Sequence, residues 1–91
     1  MGRGKRFNVK RYNGKLNVIG NNVRRIREDK DMSLSQLSDK LQLLGVDVPK
    51  SSLQNIENGK RIVKEYEFYA LCKVFGVSME EMLDDFIKEL D

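Results

Sequence analysis

From Val18 onward the apolar positions recur at helical spacing, and no stretch alternates with the period of two that marks a half-buried strand. Five helices are expected, and with them an all-α fold. In the first, over about Ile19 to Asp29, Ile19, Val23 and Ile26 form an inward stripe while Arg24, Arg25 and Lys30 reach outward. Arg27 lies one position past Ile26, at the core edge, where a lone charge is costly unless it meets a carboxylate. The second helix opens at a capping box, Ser33 with Gln36, and carries Leu34, Leu37 and Leu41 as far as Leu43 or Leu44, where Gly45 ends it. Gly45-Val46-Asp47-Val48-Pro49 is the connector, with Pro49 suited to the first turn of a third helix that runs to Asn58. Phe68, Leu71, Cys72 and Phe75 give a fourth helix its inward face, and Gly76 closes it; its start is weakly marked because Lys64 is a poor cap. The fifth opens at a second capping box, Ser78 with Glu81, with Val77 placed to staple onto Met82. Met79, Met82, Leu83, Phe86 and Leu90 then share one side.

The third helix carries the most specific pattern, SSLQNIENGKR over residues 51–61. Leu53 and Ile56, three apart, share the inward face, and Ser51, Ser52, Gln54 and Asn55 point elsewhere with donors and acceptors suited to base edges or phosphates. Gly59 sits where the chain must leave the right-handed region. Lys60 and Arg61 then emerge where a backbone phosphate would lie if the helix entered a major groove.

Charge sharpens this picture. The net charge of +3 conceals a gradient: residues 1–30 carry +8, residues 31–79 are balanced, and residues 80–91 carry −5. Six cations (Arg3, Lys5, Arg6, Lys10, Arg11 and Lys15) fall in the first fifteen residues with no acid among them, a composition that favours polyanions and disfavours a packed element. Residues 1–17 are read as a basic, mobile N-terminal arm, with packing back through Phe7, Val9 and Tyr12 as the alternative, and residues 18–91 as one domain. No apolar run is long enough for a membrane span and no signal-peptide centre is present, so a cytoplasmic protein is expected. With one cysteine, Cys72, and no histidine, neither an internal disulfide, a zinc finger nor a histidine-based catalytic site can be built; no metal, cofactor or catalytic residue is expected.

Four segments in order, VRRIRE, MSLSQLSDKL, SSLQNIENGKR and FYALCKVFGVSMEEML, resemble the lambda-repressor-like helix-turn-helix domains of the Cro and xenobiotic-response-element type, over about Ile19 to Phe86. The resemblance implies a compact five-helix domain that binds operator DNA, commonly as a dimer, and so a sequence-specific transcriptional repressor or activator, with repression the preferred reading. Carried over residue by residue, base contacts fall on Lys50, Ser51, Ser52 and Asn55, with Gln54 also a candidate; Asn58, Lys60 and Arg61 fall on backbone-contacting positions. Glu57 matches an acid that pairs with an arginine of the first helix, and Arg27 matches that arginine, so the resemblance implies a partly buried ion pair. Two features depart from the pattern. Leu34 stands where a phosphate-contacting glutamine is common, leaving Ser33, Ser35 or Gln36 to substitute, and LQLLGVDVPK is several residues longer than the usual connector.

Double-stranded DNA is therefore the expected partner, with a homodimer contact through Phe86 and Leu90 of the last helix. The runner-up reading is an antitoxin or protein-interaction module of the same fold, in which the apolar side of the last helix and the acidic tail recruit a protein partner. RNA binding is disfavoured because Tyr66, Phe68 and Tyr69 are expected to be mostly committed to the fourth helix. An enzyme is least expected, since Ser51 and Ser52 have no histidine to activate them and Asp84-Asp85 read as ordinary solvated charge.

Overall fold

A computed structural model describes residues 13–90. The greater part of the expected basic arm, with Phe7, Val9 and Tyr12, lies outside the described residues, as does Asp91. Six helices follow in order: α1 Gly20–Asp29, α2 Leu34–Leu43, α3 Lys50–Glu57, α4 Glu65–Phe75, α5 Met79–Met82 and α6 Asp84–Leu90. No helix among the described residues is long and apolar enough to cross a membrane.

One core is shared by the first five helices. Val23 and Ile26 of α1, Leu37 and Leu41 of α2, Leu53 and Ile56 of α3, Leu71 and Phe75 of α4 and Met82 of α5 are all buried in it. Each comes from an apolar stripe that recurs every three or four residues, so the helices meet along those stripes and turn their polar sides out. Helix α3 packs against both α1 and α2, and α4 closes the bundle from the other side.

The helix starts have local causes. At α2 the Ser33 hydroxyl accepts from the Gln36 N–H at 3.0 Å, and the Gln36 side chain accepts from the Ser33 N–H at 2.8 Å. The same reciprocal pair joins Ser78 and Glu81 at α5, at 3.0 Å in each direction. Pro49 stands one residue before α3 as its N-cap rather than inside its first turn.

The long α2–α3 connector is anchored rather than loose. Val48 is buried, its carbonyl accepts from the Ser38 hydroxyl at 2.8 Å, and the Val46 N–H donates to the Leu41 carbonyl at 3.1 Å. The extra residues are accommodated by exposing Leu43 and Leu44, not by freeing the entry to α3.

The expected fifth helix is two helices, broken at Leu83. Asn22 of α1, buried, donates its side-chain amide to the Met82 carbonyl at 2.8 Å and to the Asp84 carboxylate at 3.1 Å, while its own oxygen accepts from Arg25 at 2.6 Å. The Asn22 side chain thus ties α1 to both sides of the break, at the last residue of α5 and the first of α6. The break undoes the single apolar side expected there: Met82 is buried, but Met79 and Leu90 are exposed. Asp84 is likewise not simple solvated charge, since it accepts from Asn22.

Candidate nucleic-acid interface

The end of α3 is fastened to α1 by charge. Arg27 donates from Nε to Glu57 Oε2 at 2.7 Å and from Nη2 to Oε1 at 3.1 Å, with side-chain exposures of 13% and 1% for the two residues. Its remaining Nη1 donates to the Met32 carbonyl at 2.8 Å, which ties the approach to α2 into the same fork. The hydrogen bonds to Glu57 raise the Arg27 pKa above its ordinary value, so the guanidinium stays charged at any relevant pH. Arg24, one turn earlier, adds an Nε contact to Glu57 Oε1 at 3.4 Å and donates from Nη2 to the Asn58 side-chain oxygen at 2.8 Å. Asn58 is thus held by its acceptor, which leaves its amide N–H groups as the outward-facing donors.

Backbone packing completes the clamp. A Cβ on Gly20 would stand 2.4 Å from the Ile56 carbonyl oxygen and 2.8 Å from that of Glu57, so the first turn of α1 rests directly on the last turn of α3 and only glycine fits. Asn17 grips both sides of the junction. Its amide donates to the carbonyls of Ile56 and Arg61, each at 2.9 Å, and its oxygen accepts from the N–H groups of Ile19 at 3.0 Å and Gly20 at 2.8 Å. Asn17 therefore caps α1 and holds the α3–α4 turn with one side chain. Gly59 makes that turn at φ +75°, and the Leu16 N–H donates to its carbonyl at 2.8 Å. The part of the expected arm that is described lies across the turn next to the exposed Lys60.

The outer face of α3 is bare. Lys50, Ser51, Gln54 and Asn55 are exposed and Ser52 half-buried. Among the described residues, none of these five side chains, nor that of Lys60, makes a hydrogen bond or ion pair with the rest of the protein. All five expected base-contact candidates thus sit on one short, rigidly mounted helix, with Asn58 and Lys60 at its exit.

Two expected backbone contacts sit at the start of α2: Ser33 and Gln36 are exposed, and each already bonds the other through the capping box. Arg61 has a different place. It turns inward, donating from Nη1 and Nη2 to the two Glu67 oxygens at 2.9 and 3.0 Å, and from Nη1 also to the Ile62 carbonyl at 3.1 Å. The Glu67 carboxylate in turn accepts from the Lys64 N–H at 3.0 Å, so Arg61 and Glu67 supply the start of α4 that Lys64 alone could not. Hydrogen bonding from Arg61 holds the Glu67 carboxyl below the usual carboxylate range. Burial raises the Cys72 thiol, in keeping with a core role.

The sequence pattern missed Asn17, Gly20, Asn22 and Arg24. Each acts across at least 33 residues, and a polar residue beside a helix carries no local sign of so distant a partner. Tyr66 and Tyr69 are a correction: they are 54% and 56% exposed, and only Phe68 leans on the core.

The family model described as Helix-turn-helix matches residues 23–82, from the middle of α1 to the end of α5. The chain belongs to the helix-turn-helix family, of the lambda-repressor-like type. Its helix-turn-helix unit is α2, the anchored connector and α3. A solved chain of the SinR protein/SinI protein complex is similar at 31% identity with a TM-score of 0.61, the alignment covering 80% of this chain and 67% of that one. No curated protein matches. Membership makes this chain a DNA-binding helix-turn-helix regulator.

Proposed function

We propose that this helix-turn-helix chain is a sequence-specific transcriptional repressor that places α3 in the major groove of its operator. One contrast carries the reading: a helix clamped at its C-terminal end presents unpartnered polar side chains along its outer face. Lys50 suits a guanine edge and Asn55 an adenine edge, while Ser51, Ser52 and Gln54 can serve bases or phosphates. Asn58 and Lys60, with Ser33 and Gln36 at the start of α2, take the sugar-phosphate backbone and set register. Arg61, bound to Glu67, is left out of the contact set.

The basic arm extends this reading. If residues 1–15 neutralise about three phosphates, their deletion lowers the slope of log K against log salt by roughly 0.9 for each phosphate no longer neutralised. An unchanged slope assigns the arm no role on DNA.

The direct experiment is fluorescence anisotropy of the purified protein on its own upstream region, with excess unrelated duplex as competitor. Binding that survives competition in the parent, and is lost on joint Lys50→Ala and Asn55→Ala substitution, supports a sequence-specific reader. Binding that competitor abolishes leaves only charge-driven affinity for that fragment. A second reading, an antitoxin or protein-interaction module, has one observation in its favour: the solved chain it resembles is held in a complex with another protein. It would be favoured by co-purification of a stoichiometric protein encoded beside this chain.

A further inference from the structure

The outer side of α4 has no role in the clamp or in the reading face. Glu67, Ala70, Leu71 and Phe75 bury the inner side of this helix, and Glu65, Tyr66, Tyr69 and Lys73 occupy the opposite arc, all exposed. Tyr69 and Lys73 also line a shallow groove of about 470 Å³, together with Cys72, Gly76 and the exposed Met79. Two tyrosines and a methionine more than half exposed on one side of a small domain are the amphipathic, adaptable residues that protein interfaces concentrate.

The charges at the ends of this stripe select the partner. Glu65 and Lys73 are eight residues apart, about 12 Å along the helix at 1.5 Å per residue, and among the described residues neither is in an ion pair. A surface with an acid at one end, a cation at the other and tyrosines between is complementary to itself turned end for end. We infer that α4 is a self-docking surface, on which a second copy of this chain lays its own α4 antiparallel about a two-fold axis through Tyr69. The arrangement sets Glu65 of each copy opposite Lys73 of the other, and each residue set meets its own image, as an isologous contact requires. The contact through Phe86 and Leu90 offers less apolar surface, since only Leu90 of that pair is well exposed, and α6 carries Asp84, Asp85 and Glu89 against the single cation Lys88.

The test is sedimentation equilibrium of the full chain, without DNA, from micromolar to millimolar concentration, so it stands apart from any result on DNA binding. The expected result is a reversible dimer that Tyr69→Glu weakens by about tenfold or more, with an unchanged melting temperature. Glu65→Lys and Lys73→Glu should each weaken it, and the two together should restore it. That rescue distinguishes antiparallel α4 pairing from any general loss of stability, and it holds even if Tyr69→Glu impairs folding. A monomer throughout the range, double substitution no better than either single one, or a dimer dissolved by Leu90→Asp but not by Tyr69→Glu, would overturn the inference.

Discussion

The two ends of α3 are built in opposite ways. At the C-terminal end Glu57 receives Arg27 and Arg24, Gly20 presses on the backbone of the last turn, and Asn17 holds the carbonyls on either side of the turn. From the N-terminal turn along the outer face, the side chains of Lys50, Ser51, Gln54 and Asn55 make no hydrogen bond or ion pair among the described residues. A helix that is to meet an outside partner must keep its donors and acceptors unspent. It must also be held from elsewhere, or ordering it would cost conformational entropy on binding. Fixing one end and freeing the other meets both needs, and mutations at the two ends should separate stability from recognition.

The largest effect is expected at the clamp. Arg27→Ala leaves the buried Glu57 carboxylate with only the 3.4 Å contact from the exposed Arg24 and should lower unfolding free energy by about 3 kcal/mol, the lower end for a broken buried pair, read from chemical denaturation. A variant as stable as the parent would remove the clamp from the account. Next, Lys50→Ala and Asn55→Ala should each cost about 1–3 kcal/mol of operator affinity if they make base contacts, while thermal melts stay at the parental temperature. Loss of stability at these positions would blur the two ends. Gly20→Ala, by driving a methyl into the Ile56 and Glu57 carbonyls, should destabilise by about 1–3 kcal/mol as overpacking does, and by shifting α3 it should also weaken specific binding.

The smallest effect concerns pH. Arg61 holds the folded Glu67 pKa below its unfolded value, so the unfolded state binds the extra proton. Its contribution is therefore full above the ordinary glutamate pKa of about 4.3 and fades as pH falls through the lower folded value. Melting temperature measured against pH should show a flatter acid limb in Glu67→Gln than in the parent. Equal limbs would mean that the Arg61 contact adds no charge-dependent stability.

Much of the fold is legible in the sequence because its signals are local. Ser33 with Gln36 and Ser78 with Glu81 mark helix starts within four residues, Gly59 and Gly76 mark ends, and the apolar spacing places the core side of α1 to α4. The family resemblance locates α3, its outer face and the Arg27–Glu57 pair. What escapes is non-local. The break at Leu83 is met by Asn22, 60 residues from Met82, and the need for glycine at position 20 emerges only when the backbone of α3 is packed against it. Arg61 resembles a phosphate ligand because a cation after Asn-Gly-Lys leaves the helix there, but Glu67 six residues later draws it in. Tyr66 and Tyr69 defy expectation because aromatic residues beside an apolar stripe are usually buried, and here the stripe is filled by Ala70, Leu71 and Phe75.

The claim that a clamped α3 reads bases is tested most directly by selecting bound sequences from a pool of random duplexes, with the parent and with the joint Lys50→Ala, Asn55→Ala variant. The account predicts that the parent enriches a defined motif and that the variant, equally stable, loses preference at particular base pairs within it. A parent that enriches no motif, or a variant that enriches the same motif equally well, would contradict it.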